Sequence, residues 1–175
     1  DNVVPEYYWF NGIADHHLIT DNIDTIPVQM NTLDGSYRDK GEYQKSTEPS
    51  KIWPVKVHRG RQIYDPVNNT LVQPKLWDLE KGKGAMWTDF DWDQAARLGS
   101  EAVGLEYSGE YDFVQTIMYW PVNHMVSPKE QTLSCVECHT RDHGRLEQLA
   151  GFYLPGRDHH PWVDRIGTGL LILAL

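Results

Sequence analysis

A chain of 175 residues and 20.2 kDa has the length of one ordinary domain, and a formal charge of -9 with no basic stripe argues against nucleic-acid binding. A mean hydropathy of -0.55 together with 14 Gly and 10 Pro predicts a thin core and much irregular structure. The 2 cysteines stand in one motif and leave no pair for a structural disulfide, so cysteine usage does not identify the compartment.

Residues 1–30 form an aromatic and acidic opening, with Tyr7, Tyr8, Trp9 and Phe10 followed by Asp15-His16-His17. Pro5 and Pro27 limit helix there, and a short helix or an extended arm fits equally well. The first residue is Asp1 and no charged segment leads into an apolar stretch, so any secretion signal is expected to be absent or already removed. Residues 31–50 are polar and read as a surface excursion. Trp53 to Val57 alternates enough for a short strand before His58, and Asp65-Pro66 with Asn68-Asn69 favours turns; Asn68-Asn69-Thr70 is a weak glycosylation match. The clearest helix starts near Asp91 and carries Trp92, Ala95, Ala96, Leu98, Ala102 and Val103 along one face, with Gly104 as its stop. Phe113 to Trp120, ended by Pro121, is a second helical candidate, and Arg145 to Ala150 a third. From Ile166 to Leu175 the chain is uncharged and apolar behind Arg157 and Arg165. That run is too short for a bilayer, which needs ~20 helical residues, and reads as the start of a truncated membrane anchor in preference to a terminal packing helix. The expected fold is therefore mainly α with extensive coil and little β structure, divided into one main region over 1–160, which holds both cysteines, and the start of an anchor over 161–175.

The most specific signal is Cys135-Val136-Glu137-Cys138-His139, the spacing of a c-type haem attachment site. Thiols three positions apart reach one edge of a porphyrin, and the adjacent imidazole reaches the iron. No second C-x-x-C supplies zinc ligands, and a thioredoxin-type site needs no imidazole after its second Cys. A single motif limits the chain to one covalently attached haem of this kind. Seven further histidines compete for other iron positions: His16, His17, His58, His124, His143, His159 and His160. His124 and His58 lead, because Trp-Pro-Val-Asn-His and Trp-Pro-Val-Lys-Val-His place each behind a stiff backbone, with His16 and His17 as the next metal-ligand candidates and Met125 a weaker alternative.

Three stretches add a family likeness: Pro-Glu-Tyr-Tyr-Trp-Phe-Asn-Gly (5–12), Pro-Val-Lys-Val-His-Arg-Gly-Arg-Gln-Ile-Tyr-Asp-Pro-Val-Asn-Asn (54–69) and Tyr-Trp-Pro-Val-Asn-His-Met-Val-Ser-Pro-Lys-Glu (119–130), the last leading to the haem motif. Over most of residues 1–160 the chain resembles the C-terminal portion of octahaem tetrathionate reductase-type cytochromes c. The resemblance implies a periplasmic, helical and coil-rich multihaem cytochrome, with His58 and His124 ligating neighbouring haems. The chain departs from that pattern by holding one attachment motif where eight would be expected, so most haems belong to other sequence or to partner subunits. The expected function is electron transfer within a membrane-attached multihaem cytochrome c with haem-bearing and redox partner proteins. The alternative is an oxidoreductase acting on a small sulfur or nitrogen oxyanion such as tetrathionate, nitrite or hydroxylamine, with an active site mostly outside this chain. For that reading Lys56 and Lys129 are the weak candidates to attract the anion. Arg157, in Leu-Pro-Gly-Arg-Asp, is a candidate partner for a haem propionate, since a guanidinium grips a carboxylate in two places.

Overall fold

A computed structural model describes residues 4–33, 36–39, 42–45, 49–123 and 128–174, with side chains left aside in 36–39 and 42–45. The strands are β1 (Glu6–Phe10), β2 (Asp15–His16), β3 (Val28–Gln29), β4 (Asn31–Thr32), β5 (Ser36–Asp39), β6 (Glu42–Lys45), β7 (Lys51–Asp65), β8 (Thr70–Leu71) and β9 (Asp112–Pro121). The helices are α1 (Met86–Asp89), α2 (Trp92–Val103) and α3 (Pro161–Ala174). Among the described residues the main sheet runs in the order β1-β7-β9-β3, with β8 paired to β7. The mainly α expectation is therefore wrong: the longest element is a strand of 15 residues, and a mixed sheet organises the fold.

The chain divides into two compact units, one of Asp1–Trp9, Lys51–Lys56 and Pro121–Leu175, the other of Phe10–Ser50 and Val57–Trp120. In the second unit β3 lies parallel to β9, with Val28 opposite Thr116, and β8 turns back antiparallel on β7, with Tyr64 opposite Leu71. Val28, Leu71 and Val114 form a buried cluster there, flanked by Ile23, Met30 and Tyr64. The expected turn falls at residues 66–69, where Asp65 accepts hydrogen bonds from the backbone N–H groups of Val67 and Asn68 (2.9 Å each).

The helix expected near Asp91 forms as α2. The Asp91 side chain accepts from the Gln94 N–H, and Gly104 ends the helix in the left-handed region at φ 71. Its buried face is made of small residues, Ala95, Ala96, Gly99 and Ser100. A Cβ at Gly99 would stand 2.0 Å from the Gln73 carbonyl oxygen, so the helix rests directly on the backbone of residues 73–75.

Two expected helices are absent. Phe113 to Trp120 lies in β9, rich in β-branched and aromatic residues, with Val114 and Thr116 buried and Gln115 exposed between them. Arg145 to Ala150 is a chain of turns. The opening aromatic residues take the extended alternative as β1, the short strand expected at Trp53–Val57 is part of the much longer β7, and the polar excursion at 31–50 includes the paired β5 and β6. The apolar C-terminal run is helical, but α3 has 14 residues, about 21 Å at 1.5 Å per residue against a hydrocarbon thickness of about 30 Å. No described helix is long and apolar enough to cross a membrane, which corrects the expected membrane helix.

Candidate functional site

The Cys-x-x-Cys-His segment lies in the first unit and folds as one 3-10 turn, Cys135–Glu137. Side chains three apart eclipse one another in that geometry, so the two thiols share one edge of the turn. Cys135 is exposed, Cys138 half-buried, and neither forms a disulfide. The turn is fixed from inside the motif by a capping box: the Ser134 side chain takes the Glu137 N–H, while the Glu137 carboxylate accepts the Ser134 N–H (3.0 Å). The second carboxylate oxygen of Glu137 accepts from Arg145 Nε (2.8 Å), the Glu137 carbonyl accepts the Arg145 N–H (2.8 Å), and the Tyr7 hydroxyl is a further partner of that guanidinium. The Ser134 N–H first, and Arg145 second, hold the Glu137 carboxyl below the usual carboxylate range. A residue that is only a spacer in the motif thus ties both ends of it down.

The His139 N–H donates to the Cys135 carbonyl (2.8 Å), which carries the ring directly off the turn. Its Nδ1 lies 2.8 Å from the Pro155 carbonyl oxygen. A carbonyl can only accept, so this contact selects the tautomer protonated at Nδ1 and leaves the Nε2 lone pair for a metal. Gly156, at φ +89, brings the following backbone so close that a Cβ would stand 2.6 Å from the His139 carbonyl oxygen. The 154–158 turn is closed by the Leu154 N–H on Asp158 Oδ2 (2.7 Å) and by the Asp158 N–H on the Leu154 carbonyl (2.9 Å).

Arg157 locks that turn to the loop behind the haem motif. Nε and Nη2 donate to the two Asp158 carboxylate oxygens (2.9 and 2.7 Å), Nη1 to the Leu146 and Leu149 carbonyls (2.7 and 2.5 Å), and Nη2 also to the Phe152 carbonyl (3.0 Å). All five N–H groups are taken within the protein, and the side chain is 10% exposed. A propionate would have to displace one of these acceptors. The guanidinium sits 4.8 Å from the Phe152 ring centroid, Phe152 meets Trp9 edge-on at 5.7 Å, and Trp9 Nε1 donates to the Ala150 carbonyl (2.8 Å).

The remaining candidates are scattered. Lys56 on β7 and Lys129 in a 3-10 turn are exposed. His58, His16 and His17 belong to the second unit: the His58 ring is exposed and 6.1 Å from the Trp120 ring, His16 is exposed, and His17 is half-buried with Nε2 enclosed and without a hydrogen-bond partner. His124 and Met125 lie outside the described residues. Pro155, Gly156, Asp158 and the Glu137–Arg145 pair were not foreseen; the turn-forming Pro-Gly pair was their only local signal. Among the described residues no group of three His, Cys, Asp or Glu side chains gathers to hold a metal ion. A donor set of two thiols on one edge and one imidazole with Nε2 available fits a covalently held haem.

Residues 1–142 match the family model described as bacterial cytochrome c. Among solved structures the chain is similar to the octaheme cytochrome c from Shewanella oneidensis, at 41% identity and a TM-score of 0.62, over 78% of this chain and 30% of that one. The chain therefore spans less than a third of that protein's length. No curated protein matches it.

Proposed function

Because this chain belongs to the bacterial cytochrome c family, we propose that it relays electrons through a haem held by Cys135 and Cys138, as one part of a larger multihaem assembly in the periplasm. The observation that carries this reading is the His139 ring, whose Nδ1 is engaged by Pro155 while Nε2 remains open. The bound haem supplies a one-electron couple at its iron. This chain's own residues would do the rest: Cys135 and Cys138 would hold the haem through thioethers and His139 would offer Nε2 to its iron, while the Glu137 capping box and Arg145 keep the three side chains on one turn.

The extent of the match supports the view of a part. A chain with one attachment motif that covers 30% of an eight-haem protein leaves its partner haems to other sequence or other subunits. His58, His124, His16 and His17 are the candidate ligands offered to those irons. Reduction of a small oxyanion is the alternative; Lys56 and Lys129 supply surface charge for it, and the reacting haem would lie elsewhere.

The test is spectroscopic. A six-coordinate low-spin spectrum that ignores nitrite and cyanide supports relay, whereas high-spin iron that binds them points to catalysis at this haem. Replacing Cys135 and Cys138 together by Ala is expected to abolish covalent haem, and His139→Ala to remove the native axial ligation. An unchanged haem spectrum in His139→Ala would contradict the assignment.

A further inference from the structure

The carbonyl that holds the axial imidazole is that of Pro155, in the peptide it shares with Gly156 within the 154–158 turn. Its position depends on its neighbours. On one side Gly156 presses the turn against the His139 backbone, with room for no Cβ. On the other, Asp158 closes the turn and Arg157 grips Asp158 together with the Leu146, Leu149 and Phe152 carbonyls. Those three carbonyls lie in the loop that leaves the haem motif, so a single buried guanidinium fixes the distance between that loop and the Pro155 oxygen. An aligned Nδ1–H···O=C bond makes the imidazole a stronger donor at Nε2, and a stronger donor favours ferric over ferrous iron.

We infer that Arg157 is a positioning residue for the axial imidazole and, through the Pro155 carbonyl, lowers the reduction potential of the haem. This rests on the attachment reading above. Charge alone does not account for the role, because five donors in a planar fork serve four acceptor groups at once and an ammonium cannot copy that geometry. Arg157→Lys keeps the charge and loses the fork. Gly156→Ala attacks the same contact from the other side.

Redox titration of the purified haem-loaded protein tests this, combined with proton NMR of the ferrous state for the His139 Nδ1–H resonance. Arg157→Lys and Gly156→Ala are expected to shift the potential positive and to move that resonance, with covalent haem content unchanged. Arg141→Lys, at an exposed arginine just past the motif, is expected to leave both in place. A haem-loaded Arg157→Lys protein with wild-type potential and resonance would overturn the inference. Should Arg157→Lys fail to take up haem, Asp158→Asn, which keeps the arginine and its carbonyl partners, is titrated instead with the same two outcomes. Absence of covalent haem in the wild-type protein would sink the attachment reading itself, so the two failures are distinguishable.

Discussion

Asp65 is wholly buried at the end of β7, and burial alone would push its carboxyl group up; the N–H groups of Asn68, Ser108 and Val67 and the Ser108 hydroxyl outweigh that and hold it low. Its Oδ1 accepts from Val67, Asn68 and Ser108 Oγ, its Oδ2 from Ser108 N–H (2.7 Å) and Asn68 Nδ2 (3.1 Å), so every approach brings a donor. Asp65→Asn turns one of those oxygens into an NH2 group facing donors and is expected to lower stability by about 2–4 kcal/mol in urea unfolding. A depressed folded pKa means that the stabilisation is complete above the unfolded value of ~3.9 and is lost as pH falls below it toward the folded value. Acid titration of stability is therefore expected to show a larger loss below about pH 4 in the wild type than in Asp65→Asn; identical acid limbs would contradict this role. At the same scale, the haem motif was legible because thiol spacing is a local property. The Pro155 carbonyl was not, since its partner stands 16 residues away, and the sequence offers Arg157 as a fork for a propionate while its five acceptors are set by folding.

Elements defined by their own ends were legible, and elements defined by distant partners were not. α2 carries its cap at Asp91, its stop at Gly104 and its small-residue face in sequence, and it forms where expected. Phe113 to Trp120 offers no such frame: a short apolar run fits either period, and Pro121 ends a strand as readily as a helix. β7 is legible only in part because His58, Arg59 and Arg61 make its later half look like loop, whereas its pairing with β9 and β8 is decided across the sheet. Gly99 gives this scale its test. In an open helix Gly→Ala stabilises by about 1 kcal/mol, but here the added methyl would stand 2.0 Å from the Gln73 oxygen. Gly99→Ala is expected to destabilise by about 1–3 kcal/mol, with a lower Tm; a higher Tm would show that α2 does not rest on residues 73–75.

Across the whole molecule, the class of fold is misjudged from composition, because mean hydropathy and Pro and Gly content measure how much is buried and say little about the period in which it is buried. The haem motif lies within one unit together with the Ser134–Glu137 capping box, Arg145, the 154–158 turn and the Trp9–Phe152–Arg157 stack. That self-contained construction supports a role as one haem-bearing part of a longer cytochrome, the size of the match pointing the same way. Mass analysis of the purified protein after proteolysis tests the central claim most directly. The account predicts a peptide containing residues 135–139 that carries one haem through thioether bonds at both Cys135 and Cys138; unmodified thiols at these positions, or zinc bound to them, would contradict it.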